Sequence, residues 1–149
     1  MPNDEEMLKA ANERTRAFAA LLTEYLQVQF GYKRPGVRLG ISRCSVDART
    51  AKYDLYFRVT PPSMHGWNSD TLVVSRIGFT NQRQGHGRAL MQFLVEVADE
   101  VPYTHIGVEQ ANPDATAFGA RFGFVRYGEG KNLLAPVSTV MSNLRHGRR

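Results

Sequence analysis

Thr71 to Phe79 reads Thr-Leu-Val-Val-Ser-Arg-Ile-Gly-Phe, and a short loop then leads into Gly85-His86-Gly87 and a helix. Leu72, Val73, Val74, Ile77 and Phe79 are apolar on both faces of an extended chain, the pattern of a central strand covered on each side. After the glycines, Leu90, Phe93, Leu94, Val97 and Val101 share one helical face, while Gln92, Glu96, Asp99 and Glu100 fall elsewhere. Pro102 ends the helix, because the residue before a proline disfavours helical geometry. Tyr103 to Gln110 reads as a second strand, with Ile106 and Val108 on one face and His105, Gly107 and Glu109 on the other. Strand, crossover helix and strand make a βαβ unit, so the two strands are expected to be parallel.

The loop inside this unit is Asn81-Gln82-Arg83-Gln84-Gly85-His86-Gly87-Arg88. Two glycines one residue apart let a backbone approach a ligand with no Cβ in the way. A helix that opens there leaves several backbone N–H groups without intrahelical partners, and its positive dipole end favours an anion such as a pyrophosphate. Arg83 and Arg88 flank it and can pair with phosphate oxygens. The same residues serve equally as a tight strand-to-helix turn with no ligand.

A chain of 149 residues suits one domain with its own core, and no apolar run is long enough to span a bilayer. The acidic, polar start Met1-Pro2-Asn3-Asp4-Glu5-Glu6 is unlike a signal peptide. Cys44 is the only cysteine, which excludes an internal disulfide and any multi-cysteine metal site, so no metal is expected and a cytoplasmic home is the default. The net charge of +5 suits an anionic ligand and would also suit nucleic acid, although no nucleic-acid motif is present. Part of the excess lies in 145–149, read as a frayed basic tail.

Asn3 as cap and Glu6 three residues on open a helix over Asp4 to Phe30, one long element or two with a break. Leu8, Ala11, Thr15, Phe18, Leu22 and Tyr25 form its stripe and Gly31 its stop. Val37 to Val46 and Lys52 to Thr60 are read as an antiparallel hairpin across a polar turn at Asp47 to Thr50. Pro61 to Asp70 breaks the pattern and holds the only tryptophan, Trp67. Such a loop either lines the acceptor side of a site or merely connects strands. Asn112 as cap, Pro113 at the first helical position and Asp114 in the first turn start another helix, stopped by Gly123. Phe124 to Tyr127 and Val137 to Leu144 are read as the last two strands. The expected order is α-β-β-β-α-β-α-β-β, an α/β sandwich around a mixed, mostly antiparallel sheet with one parallel pair.

Gln82-Arg83-Gln84-Gly85-His86-Gly87 resembles the acyl-CoA-binding signature of the GCN5-related N-acetyltransferases (GNATs), Gln/Arg-x-x-Gly-x-Gly/Ala, and Asn112 to Phe124 resembles that family's next segment. The resemblance implies a splayed parallel pair with acetyl-CoA as cosubstrate in the gap. Ile77, Gly78 and Phe79 would then bond the thioester end through their backbone. Gln82, Arg83, Gln84, Gly85, His86, Gly87 and Arg88 would form the pyrophosphate loop. Asn112 would contact the pantetheine arm or the ordered cap near it, and Ala115 and Phe118 would flank the cofactor. The family's usual first strand, before the first helix, is missing here. Family habit adds a homodimer, and the acceptor would be a primary amine that cannot be read from the residues.

In such a reaction an amine attacks the thioester directly. The protein removes a proton, polarises the carbonyl and protonates the thiolate. Glu109, at the end of a central parallel strand, is the first choice as base, and His105 the second. Relatives commonly carry a tyrosine after the position of Phe118, and this chain has Gly119. Tyr127 and Tyr103 are the phenols available as substitutes on neighbouring strands. Gly119 therefore keeps a second reading open, a catalytically weak or inactive acyl-CoA-binding domain.

Overall fold

The computed structural model describes residues 4–60, 66–68, 70–81, 85–128 and 130–146. The elements run α1 (Asp4–Phe30), β1 (Val37–Leu39), β2 (Ser45–Arg49), β3 (Tyr53–Val59), β4 (Thr71–Phe79), α2 (His86–Glu96), β5 (His105–Val108), α3 (Pro113–Ala120), β6 (Val125–Arg126), β7 (Leu133–Pro136) and α4 (Val137–His146). All seven strands among the described residues join one sheet in the order β1-β2-β3-β4-β5-β7-β6. Only β4 and β5 are parallel, and the other neighbours are antiparallel. The mixed α/β architecture with one parallel pair is the one the sequence pattern predicts.

The first helix is a single element that buries Ala11, Thr15, Phe18, Leu22 and Leu26. Leu8 stays exposed, and the helix start at Asn3 lies outside the described residues. Phe18 meets Phe57 of β3 edge-on at 5.0 Å and approaches Phe93 of α2 at 6.1 Å, so α1 and α2 cover the same sheet face. Each such fully buried ring contributes roughly 1.5–3 kcal/mol. Tyr25 stacks on Phe93 at 4.5 Å and closes the seam between the helices.

α2 ends at Glu96, short of Pro102, and Leu133–Pro136, where no strand was expected, is β7 between β5 and β6. Two further elements differ from expectation. Val37 to Val46 is not one strand: the chain turns at Gly40, with Arg43 N–H donating to Gly40 O, and Arg43 takes a positive φ of 60°. Asp47–Arg49, expected as a turn, is therefore the end of β2, and β1 to β3 form a three-stranded meander. Cys44 sits in the Gly40 turn, buried, with its thiol on Asn12 Oδ1 at 3.3 Å. The second difference is Val137 to Leu144, which is helix α4 and not a strand. Its buried residues, Val140 and Leu144, recur at helical spacing, and that spacing outweighs the strand preference of valine and threonine. Arg145 and His146 make its last turn, so the basic tail is helical up to there, and 147–149 lie outside the described residues. No described helix is long and apolar enough to cross a membrane.

Candidate acyl-donor site at the fork between β4 and β5

Pairing between β4 and β5 covers Thr71↔His105 through Val74↔Val108, closed by Glu109 N–H on Val74 O at 3.0 Å. Beyond that point β4 continues to Phe79 with β3 on one edge and, among the described residues, no strand on the other. The free edge of Ser75–Phe79 thus offers unpaired backbone groups, which an extended ligand arm can satisfy as an added strand would. Ile77, Gly78 and Phe79 all lie on this edge.

The fork leads to the N-terminus of α2. Gly85 caps that helix with φ 77°, a left-handed conformation that costs a non-glycine residue roughly 1–2 kcal/mol. Its carbonyl accepts the first intrahelical bond, from Ala89 N–H at 2.9 Å, which leaves the amides of His86, Gly87 and Arg88 ahead of it outside the helical ladder. A Cβ on Gly87 would stand 3.0 Å from Phe118 Cζ, so glycine lets α3 close on the turn. Gln82, Arg83 and Gln84 lie outside the described residues.

His86 does not point freely into solvent. Its ring lies 4.8 Å from Phe30 and 5.2 Å from Phe79, and its Nδ1 is buried with no hydrogen-bond partner. It borders a cavity of about 240 Å³ with Gln29, Phe30, Lys52 and Asn81, beside the glycine turn. A larger cavity of about 390 Å³ lies at the other end of β4, against Arg14, Asp70, Tyr103 and Thr104, and holds no residue of the turn.

Arg88 has its side chain elsewhere. The guanidinium donates to Leu144 O at 2.7 Å and lies over the Phe122 ring at 5.8 Å, so it ties α2 to the end of α4. What Arg88 offers at the turn is its amide. Asn112 caps α3, its Oδ1 accepting from Ala115 N–H at 2.7 Å. Ala115 and Phe118 are part-buried, and Phe118 packs on Phe122 at 4.9 Å.

Glu109 follows the last paired residue of β5 and sits at the fork. Its Oε2 accepts from Ser75 Oγ at 2.5 Å and lies 3.4 Å from Arg58 Nε. His105 is at the opposite end of β5, opposite Thr71, with Nδ1 2.8 Å from Thr104 Oγ1 and 3.9 Å from Asp70. Three residues of strand, about 10 Å, separate it from the fork. Tyr103 is buried, its hydroxyl donates to Leu94 O, and burial pushes its pKa far above the ordinary phenol range, so it is no acid for a thiolate in the fork. Tyr127 stacks on Trp67 at 5.0 Å and donates to Gly66 O at 2.8 Å. Trp67 in turn covers Gly107, where a Cβ would meet its ring at 2.5 Å. Trp67 is thus a buried part of the sheet's second face, while 61–65 and residue 69 of its loop lie outside the described residues.

Ser75 and Arg58 are the members of this site that sequence reasoning missed. The register of β4 on β3 skips at Ser75: Tyr56 faces Arg76 and Phe57 faces Val74. A signal existed, because the inward residues change phase from Leu72 and Val74 to Ile77 and Phe79, the imprint of a β-bulge.

No protein-family model matches the chain, and no curated protein matches its sequence. Solved structures do match. A crystal structure of the KacTA–DNA complex aligns with TM-score 0.50 and 19% identity, over 88% of this chain and 86% of that one. Tetrahymena GCN5 aligns with TM-score 0.49 and 12% identity, over 82% and 88%. AtaTR bound with acetyl-CoA aligns with TM-score 0.48 and 17% identity, over 78% and 80%. The likeness is one of fold, and the fold is GNAT-like.

Proposed function

We propose that this protein is an N-acyltransferase that moves an acetyl group from acetyl-CoA to a primary amine by direct attack in a ternary complex. The observation that carries the reading is the continuity of the fork with the glycine turn. The free edge of Ser75–Phe79 runs towards a helix N-terminus opened by a left-handed Gly85 and a side-chain-free Gly87. A pantetheine arm needs an extended hydrogen-bonding edge, and a diphosphate needs bare amides. The two adjoin here in the order that acetyl-CoA requires. In this reading Ile77, Gly78 and Phe79 hold the arm, and Gly85 to Arg88, with 82–84, hold the diphosphate through the main chain. Ala115 and Phe118 flank the arm, and Asn112 keeps α3 in register. A free N–H of β4 polarises the thioester carbonyl, and Glu109 is the proton acceptor.

The competing reading is a domain that binds acyl-CoA without turning it over. Gly119 favours it: the residue is buried, and a Cβ there would point at Leu133 Cδ1, 3.2 Å away, and at Phe124. No phenol occupies that position, and Tyr103 is locked in the core. Titration calorimetry with CoA tests binding, and thiol release with a panel of amines and peptides tests turnover. Saturable CoA binding with accelerated thiol release supports the enzyme. Binding without acceleration by any acceptor supports the second reading. Undetectable affinity for any CoA species, with binding to duplex DNA instead, replaces both with a nucleic-acid-binding module.

A further inference from the structure

We propose that Ser75 is a catalytic residue whose hydroxyl meets the acceptor nitrogen at the fork and hands its proton to Glu109, with Arg58 holding the carboxylate. This rests on the acyl-transfer reading above and goes beyond it in naming the group that touches the acceptor.

Three observations converge. First, Ser75 is the first residue of β4 beyond its last pair with β5, Val74↔Val108, so it stands where the free edge begins. Second, the register skip against β3 falls on Ser75 alone, and a bulge re-aims the side chain it carries. Here it aims the hydroxyl across the fork onto Glu109 Oε2 at 2.5 Å, joining the two tines beyond the last backbone link. Third, that same oxygen is 3.4 Å from Arg58 Nε, which is buried and makes no aligned hydrogen bond, so the contact is one of charge. Arg58 is itself held over the Tyr56 ring at 5.6 Å, and Arg76, paired with Asp54 at 3.0 Å, covers the same ring. The carboxylate is mostly buried, at 17% exposure, and Oε2 is committed to Ser75 and Arg58. A hydroxyl that donates to a carboxylate keeps lone pairs free to accept from an incoming ammonium.

The acceptor ammonium gives one proton to Ser75 Oγ as the Ser75 proton passes to Glu109. The freed nitrogen lone pair forms the N–C bond to the thioester carbon, and the C–S bond breaks. The thiolate takes the second proton from nitrogen, leaving amide and thiol. Glu109 then returns its proton to water.

The test compares two probe amines with acetyl-CoA: butylamine, which is protonated at neutral pH, and hydroxylamine, which is largely neutral there and needs no deprotonation. Ser75→Ala should lower kcat for butylamine about a hundredfold, the usual scale of general-base catalysis, and leave hydroxylamine within about threefold. Calorimetric CoA affinity should stay unchanged. Ser75→Thr keeps the hydroxyl and should restore most of the butylamine rate. Ser75→Ala combined with Glu109→Gln should be no slower than Glu109→Gln alone, since the two act as one unit. An equal loss with both amines would mean a merely structural serine and would overturn the relay. So would loss in Glu109→Gln with none in Ser75→Ala, an acetyl group found on Ser75 by mass spectrometry, or no thiol release above the uncatalysed rate with either amine. Failure of the parent protein to bind CoA is a different result, and it removes the acyl-transfer reading itself.

Discussion

The Phe118 ring sits against Gly87 so closely that a Cβ at position 87 would come within 3.0 Å of Cζ and 3.2 Å of Cε1. One contact therefore fixes how α3 meets the opening turn of α2 and keeps that turn bare. We predict that Gly87→Ala lowers CoA affinity about tenfold while the melting temperature moves by only about 2–4 °C, the scale of a 1 kcal/mol change in a domain of this size. Gly87→Leu should abolish CoA binding. Adding Phe118→Ala to Gly87→Ala removes the steric conflict. If affinity then returns in full, the amides were displaced by packing and the side chain never blocked the ligand.

Arg88 lies in the same turn but belongs to the scaffold through its bond to Leu144 O and its place over Phe122. Loss of a charge-assisted, part-buried bond costs about 1.5–3 kcal/mol. Arg88→Gln should therefore lower the melting temperature by several degrees. CoA affinity should change less than about threefold, with an unaltered dependence on salt, because no phosphate charge partner has gone. A tenfold loss with a flatter salt dependence would show that the guanidinium leaves Leu144 for the ligand.

At Gly119 the Cβ direction runs into Leu133 Cδ1 at 3.2 Å and Phe124 Cβ at 3.4 Å. Overpacking of this kind costs roughly 1–3 kcal/mol. Gly119→Tyr is expected to be destabilised by that amount in urea unfolding and to gain no thiol release. A stable variant with faster turnover would show that the helix can roll the phenol into the fork.

The alkaline limb of stability should report two tyrosines. Burial, with a further push from Glu96, raises Tyr25 to about 12, and burial raises Tyr103 further. In the unfolded chain both titrate near the ordinary phenol value of 10.0. Between these values the unfolded state has lost protons that the folded state retains, so stability falls as pH rises. The contribution is complete below pH 10 and is lost as pH climbs through the folded values. Urea midpoints measured across this range should decline, and Tyr25→Phe should flatten the decline up to about pH 12. An unchanged slope would place Tyr25 in a solvated position.

Much of the architecture was legible because periodicity is a local property. The stripe of α1, the cap-proline-acid start of α3 and the strand–glycine–helix run from Thr71 each follow from side-chain spacing within a few turns or residues. α4 misled because Val137 and Thr139 favour strands, while the spacing of Val140 and Leu144, which decides, only matters once α2 is there to pack against. The sequence by itself determined that a bare, amide-rich turn would follow a buried strand, since that requires only glycine and local hydrogen bonding. Tertiary structure alone decided which side chains face the fork. The bulge at Ser75, the partnership of Glu109 with Ser75 and Arg58, and the removal of Arg88, His105 and Tyr103 to other tasks all depend on strand register and on contacts between residues far apart in the chain. A one-residue skip in register changes which side chains meet across the fork, and side-chain spacing carries no record of which strand lies alongside.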